Sequence, residues 1–187
     1  ENEIQDVKNE NDYKTHRIIN GIAEGHLEIS SLELIPSESN FDITYGIDFH
    51  KGCYLGQELV IRAKHKGITR NRIMPVLITT DKVSPFKTSI PNEFDLQNLL
   101  NTKNFINDKP INDLIKDNSV ISFDNQRSKG KIISQKCNIA LMKISLKTIL
   151  NPSSIHIDGH PDLNVYPIIP TWWPEDVISL VNNPDKL

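Results

Sequence analysis

Apolar residues are distributed along this chain in three distinct ways, and each predicts a different kind of element. Phe41, Ile43, Tyr45 and Ile47 alternate with Asp42, Thr44, Gly46 and Asp48, the period of two expected of a half-buried strand. Leu55, Leu59, Val60 and Ile61 then return at helical spacing, which predicts a helix from about Gly56 to near Gly67 with one apolar face. Beyond Arg72 the apolar residues are continuous. Ile73-Met74-Pro75-Val76-Leu77-Ile78 reads as a buried strand, Asp117 to Phe123 contains another, and Gly130 to Ser134 leads through Cys137 to a partner at Ile139 to Ile144. Short strands separated by polar turns predict a small antiparallel module.

Ahead of the alternating stretch, Tyr13 to Asn20 reads as a helix closed by Gly21 in the left-handed region. Glu24 to Ile35 shows no clean period, Pro36 stops whatever precedes it, and Ser37 to Asn40 suit a turn. Residues 1–12 are acidic and Asn-rich with few large apolar side chains. Ordering them would cost entropy that little burial offsets, so they are expected to form a mobile tail. Ser84 to Asn118 is long, polar and punctuated by Pro85, Pro91 and Pro110, which predicts an insertion at least partly disordered.

The chain has 187 residues, a net charge of -3 and two cysteines, Cys53 and Cys137. That length supports a stable core without staples, and two cysteines in unlike surroundings do not make a disulfide framework, which favours a reducing compartment. Generic polyanion binding by the whole chain is disfavoured by its charge. No apolar run is long enough to span a bilayer. One basic patch stands out locally: Arg62, Lys64, His65 and Lys66, followed by Arg70 and Arg72. It either complements the negative end of the helix it closes or meets an acidic ligand, protein or RNA.

The candidate chemistry centres on Lys51-Gly52-Cys53-Tyr54-Leu55-Gly56-Gln57-Glu58 and the Arg62 that follows. Two glycines four apart permit a tight turn and a close approach by another group. Cys53, ahead of a helix and near Lys51, has the surroundings that favour a thiolate, hence a metal ligand or redox group. The plainer alternative is a small apolar residue packed at a turn. Gln57 would hydrogen-bond within the loop, and Glu58 with Arg62, four apart, would form a helical ion pair. Cys137 falls among strand residues, in the core or on the sheet surface. His156, Asp158, His160 and Asp162 have strand spacing for metal ligands, but Asp158-Gly159 is a hairpin-turn signal that breaks such a strand. Trp172 and Trp173 suit an anchor for the end of the chain.

This eight-residue run, with Arg62, resembles the signature of the YgfZ branch of the YgfZ/GcvT family, built on the scaffold of the glycine-cleavage aminomethyltransferase. Arg17-Ile18-Ile19-Asn20-Gly21-Ile22 and Pro36-Ser37-Glu38-Ser39-Asn40 resemble the two segments that precede it, and Thr171 to Pro174 a closing segment. The match is specific over roughly residues 15–76. The resemblance implies an α+β fold: the carboxy-terminal part of a GcvT-like folate-binding domain over 13–71, then a small antiparallel β-barrel over 72–187. It also implies a piece whose amino-terminal folate-domain portion lies outside this sequence.

The branch most similar is that of mitochondrial iron–sulfur cluster assembly factors, acting in the matrix with A-type scaffold proteins to mature [4Fe-4S] enzymes of the aconitase and lipoate synthase kind. The resemblance therefore implies an assembly factor rather than an enzyme. Cys53 would be the cluster ligand or exchanging thiol, with no membrane or nucleic-acid partner. Tetrahydrofolate is the implied cofactor, with Arg17 and Tyr54 as its contacts. From the residues themselves, Arg17 suits an ordinary ion pair and Tyr54 the core. Two other functions stay open: a folate-dependent one-carbon transferase, disfavoured because no general base is visible and the signature differs, and a helper in tRNA modification.

Overall fold

The computed structural model describes residues 10–30, 33–65, 69–80, 105–106, 109–110, 115, 120–123, 130–149 and 155–182. Helix α1 (Glu10–Ile19) is followed by a short α2 (Gly25–Glu28) and by α3 (Gln57–His65). Strand β1 (Asn71–Thr79) opens the sheet, which β4 (Val120–Phe123), β5 (Gly130–Lys136), β6 (Ile139–Ser145), β7 (Ile155–Ile157) and β8 (Asn164–Pro167) complete. A separate pair, β2 (Phe105–Ile106) and β3 (Lys109–Pro110), lies inside the expected insertion. Two more helices, α4 (Leu146–Ile149) and α5 (Glu175–Asn182), come late in the chain.

The sheet order is β7-β4-β5-β6-β1-β8, with every neighbouring pair antiparallel. Its two edge strands, β7 and β8, follow one another in the chain and lie against each other across a short turn, so the sheet is rolled. Among the described residues no ladder joins them, and the isolated bridge of Ile157 with His160 lies within the turn between them.

The continuous apolar run of β1 has a direct explanation. Met74, Val76 and Ile78 face one core with Met142 of β6, Val165 of β8 and Val177 of α5, while Ile73 and Leu77 face a second with Leu141, Tyr166 and Ile18 of α1. A strand covered on both sides gains from apolar residues at every position, so the alternation is lost. Pro75 is tolerated in so central a strand because its backbone points to the β8 side at the place where that ladder stops. There its carbonyl accepts from the Ile168 N–H at 2.8 Å and no donor is required of it. Ile133 marks an irregularity in the register between β5 and β6.

Helix α1 begins within the stretch expected as a tail; residues 1–9 lie outside the described residues. Because Ile18 is buried with β1, β6 and β8, one core runs across the boundary expected between 71 and 72. Gly21 closes α1 at φ 70°, as its sequence suggests, and it is needed there twice over. A Cβ at that position would come 2.8 Å from Pro75 Cδ and 3.1 Å from Pro170 Cγ. Trp172 donates from its indole N–H to the Asn20 carbonyl at 2.8 Å, and Trp173 is buried in the core edge-on to it, so the pair fastens the end of the chain to the end of α1.

Three local expectations change. Residues 41–48 form turns and extended loop instead of a strand, because Arg72 on Asp42 and the neighbouring Asn40 on Ile73 tie this stretch to β1 by side-chain bonds, and among the described residues no strand presents a ladder to it. Cys137 stands exposed at φ 53° in the two-residue turn between β5 and β6, where the chain reverses. Of the insertion, most lies outside the described residues, yet Ile115 is fully buried and its carbonyl accepts from Gln135. The Asp158-Gly159 signal does produce a turn, with Gly159 at φ 86°, and ends β7 at Ile157.

Candidate functional site

Two groups of polar residues precede β1, and the fold treats them in opposite ways. The first is Pro36 to Asp42 with Arg72. The Arg72 guanidinium, 4% exposed, donates to both Asp42 carboxylate oxygens at 2.8 and 2.7 Å, to the Ser37 carbonyl at 2.9 Å and to Asn40 Oδ1 at 3.2 Å. Asn40, at φ 66°, donates from Nδ2 to the Ile73 carbonyl at 2.7 Å, and the Ile73 N–H donates to the Glu38 carbonyl at 2.7 Å. Lys143 of β6 closes the network on the Glu38 carboxylate at 2.8 Å. The turn is thereby fastened to the first residues of β1. Arg72 also stacks 5.9 Å from the Trp173 ring.

Arg72 thus leaves the basic patch. A buried guanidinium bound to a carboxylate and two amide oxygens satisfies its charge internally and presents none to solvent.

Arg17 is also withdrawn from solvent. Its guanidinium donates to the two Glu28 oxygens at 2.5 and 2.7 Å and to the Ile22 carbonyl at 2.7 Å, with Glu24 at 3.3 Å from Nε. Burial works to raise the Glu28 carboxyl, but the bonds from Arg17, the Glu24 N–H and Ser134 outweigh it and hold the group below the usual carboxylate range. The bond to Glu28 correspondingly raises Arg17. The residue expected to be either a folate contact or an exposed ion pair is a buried strut holding α2 to α1. All its bonds stay within residues 17–28, so Arg17 and Tyr54 are not joined as one binding site.

The second group, the Lys51 to Glu58 run, is open. Cys53 is exposed, ahead of a turn at Leu55-Gly56 that leads into α3, with Gly56 at φ 84°. Nothing lies within 4 Å of where a Cβ would stand at Gly52 or Gly56, so another molecule can approach the backbone on either side of the thiol. Gln57 does bond within the loop, its Oε1 accepting from the Tyr54 N–H at 3.3 Å. Lys51 lies 4.2 Å above the Tyr54 ring and Lys64 3.9 Å above Phe49, so one face of each ring carries an ammonium group. Among the described residues no ion pair joins Glu58 to Arg62, and α3 has no buried residue.

The apolar face expected of α3 is real in sequence but is not covered. Leu55 is fully exposed, Leu59 56% and Ile61 37%. The inner side of the helix, Val60, Ala63 and Lys64, overhangs a cleft of about 250 Å³ whose opposite wall includes Ile43, Arg72 and Leu146. That volume is below the roughly 300–1,000 Å³ typical of sites for drug-sized ligands. Among the described residues no three His, Cys, Asp or Glu side chains converge as a metal site. No helix among them is long and apolar enough to cross a membrane.

No protein-family model matches the chain. Curated relatives do. A mitochondrial iron–sulfur cluster assembly factor IBA57 homologue of Mycosarcoma maydis is 32% identical over 183 residues, covering 88% of this chain and 45% of its own. Proteins of the same name from Coccidioides immitis and Cryptococcus neoformans are each 50% identical, over 78 and 80 residues, covering 18% and 21% of their own lengths. The similarity is to the IBA57 branch. Mitochondrial location is common to the names of these IBA57 homologues and holds for this protein. The chain spans less than half the length of the IBA57 relatives it matches.

Proposed function

We propose that this chain is part of an iron–sulfur cluster assembly factor of the mitochondrial matrix, in which Cys53 binds or passes on a cluster that a second protein helps to hold. A-type scaffold proteins are the proposed partners, and [4Fe-4S] enzymes of the aconitase and lipoate synthase kind the proposed recipients. The observation that carries this reading is an exposed thiol between two uncrowded glycines, with no group of three or more His, Cys, Asp or Glu side chains converging as a metal site among the described residues. Clusters are usually held by about four protein ligands, so one cysteine can take part only if a partner brings the others. The names of the IBA57 relatives agree with that role.

The proposed scaffold is the folate-binding one of the YgfZ/GcvT family, with the rolled sheet as its β-barrel. Within this chain the pair expected to hold tetrahydrofolate does not fit it, because Arg17 is closed onto Glu28 and Tyr54 lies under Lys51. No step of the proposed chemistry runs through folate. Arg17 serves the scaffold as a strut.

The test combines the full-length protein with an A-type scaffold, iron and sulfide. A visible chromophore that forms with the parent and fails with Cys53→Ser is the expected result. A chromophore of equal strength with the serine variant defeats the proposal, and turnover of a methylene-folate substrate without iron would favour one-carbon transfer instead.

A further inference from the structure

We infer that the cleft beneath α3 is a binding site for a small apolar molecule carrying a carbonyl or carboxylate oxygen.

Arg72 supplies the polar end. It lines the cleft and is 4% exposed, and its Nε is buried without a hydrogen-bond partner among the described residues, although the rest of the guanidinium is bound to oxygens. The ring that lies 5.9 Å from this guanidinium repeats the pattern: Trp173 is 3% exposed, and its indole N–H also lacks an acceptor among those residues. A buried donor gives up its hydration and, without an acceptor, gains nothing in return. Two such donors on neighbouring side chains therefore call for an oxygen that the described residues do not supply.

The apolar end comes from both sides of the cleft. Val60 and Ala63 of α3 line the same space of about 250 Å³ as Ile43, Leu146 and Val177. Helix α3 buries no residue, so a small aliphatic group placed there would touch both walls and give the helix the apolar contact it lacks. Charge does not choose between an acid and its amide. Asp42 neutralises Arg72, and the cleft's remaining charges are one of each sign: Lys64 lies over Phe49, and Asp176 accepts from the Val177 N–H.

Other occupants fit less well. A buried water needs about two to four polar partners, and the apolar walls offer none. Tetrahydrofolate is too large for a volume below that of drug-sized sites, and neither Arg17 nor Tyr54 lines the cleft.

The experiment adds isovalerate, isovaleramide or isopentylamine to the full-length protein carrying nitrogen-15 in its arginines. The acid and the amide should bind with the millimolar affinity of few-atom ligands and shift the Arg72 Nε–H resonance. The amine has the same branched carbon tail but no acceptor, and should bind about tenfold more weakly or worse. A tighter acid identifies a carboxylate ligand and a tighter amide a neutral one, and either supports the site. Ala63→Phe fills the cleft from a helix that buries nothing, so it should weaken probe binding by about tenfold or more with the thermal midpoint unchanged. Cys53→Ser should bind the probes as the parent does, so this site and the assembly reading fail separately. No binding of either oxygen-bearing probe to the parent, equal binding of the amine, affinity that survives Ala63→Phe, or an unmoved Arg72 resonance each overturns the inference. Tetrahydrofolate binding that Ala63→Phe abolishes overturns it in favour of folate.

Discussion

The Pro36 to Asp42 turn and the Lys51 to His65 arm differ in nearly every physical respect, although both lie within 40 residues of β1 and both carry family-like motifs. Around Arg72 every guanidinium donor but Nε has an oxygen, and backbone and side chain both bond to the first residues of β1. Among the described residues the loop of the arm makes two hydrogen bonds, both between Tyr54 and Gln57, and the arm two cation–ring contacts, while its helix buries nothing. Two polar motifs in one chain are thus placed in unlike ways: one completes the fold, the other stays open to solvent. Burial separates them, since apolar side chains stabilise their own chain by losing solvent on folding, and Cys53 and Leu55 stay exposed while Leu59 keeps 56% of its surface open.

The contrast is broken most directly at Arg72. Arg72→Ala leaves Asp42 charged beside an empty site and strips Ser37 and Asn40 of a donor, so it should cost about 3–5 kcal/mol in urea unfolding, in line with other broken buried pairs. A loss below about 1 kcal/mol would show that the turn is not fastened by this residue. Next in size is a pair of glycines. Gly21→Ala meets Pro75 and Pro170 and must hold a left-handed φ, at a cost of about 2 kcal/mol, whereas Gly52→Ala meets nothing and should stay within about 0.5 kcal/mol of the parent. Equal effects of the two would erase the distinction between a crowded and an open region.

A pH series sharpens the comparison on the buried side. The Glu28 carboxyl lies lower in the folded chain than in the unfolded one, so the unfolded state binds the proton first. Its contribution is present above the unfolded value and is lost as pH falls through the folded one. Glu28→Gln should be less stable than the parent near neutrality, and thermal midpoints of the two should converge on acidification through the carboxylate range. A gap that stays constant with pH would mean that the Arg17 contact is not ionic. The smallest effect belongs to the exposed thiol: Cys53→Ser should shift the thermal midpoint hardly at all, since no packing is lost, and its consequences should appear only when a partner and iron are present.

How much was legible in the residues follows the same division. The runs at Ile73 to Ile78 and Ile139 to Ile144, the end of α1 at Gly21 and the break at Asp158-Gly159 were readable because each depends on neighbours in sequence: period, chain reversal, or the freedom of one glycine. The alternation of Phe41 to Asp48 misled because a period of two requires a strand beside it, and here the stretch is tied to β1 by single side-chain bonds, Arg72 to Asp42 and Asn40 to the Ile73 carbonyl, 30 and 33 positions apart. The pairing of Arg17 with Glu28 had one available signal, an acid eleven residues on beyond a glycine turn. Nothing in the sequence distinguished Arg72, withdrawn and paired, from Arg70, exposed at the surface.

What the sequence determined alone was local: where the backbone can turn, which stretches must be buried, and that one thiol sits between two glycines. Only the tertiary structure decided which polar groups are neutralised within the chain. Charges two positions apart in one run can face opposite environments, and desolvation with its compensating hydrogen bonds is a property of the packed sheet, not of the run. The same packing left the leucines of α3 outside the core, a fact their spacing could not convey.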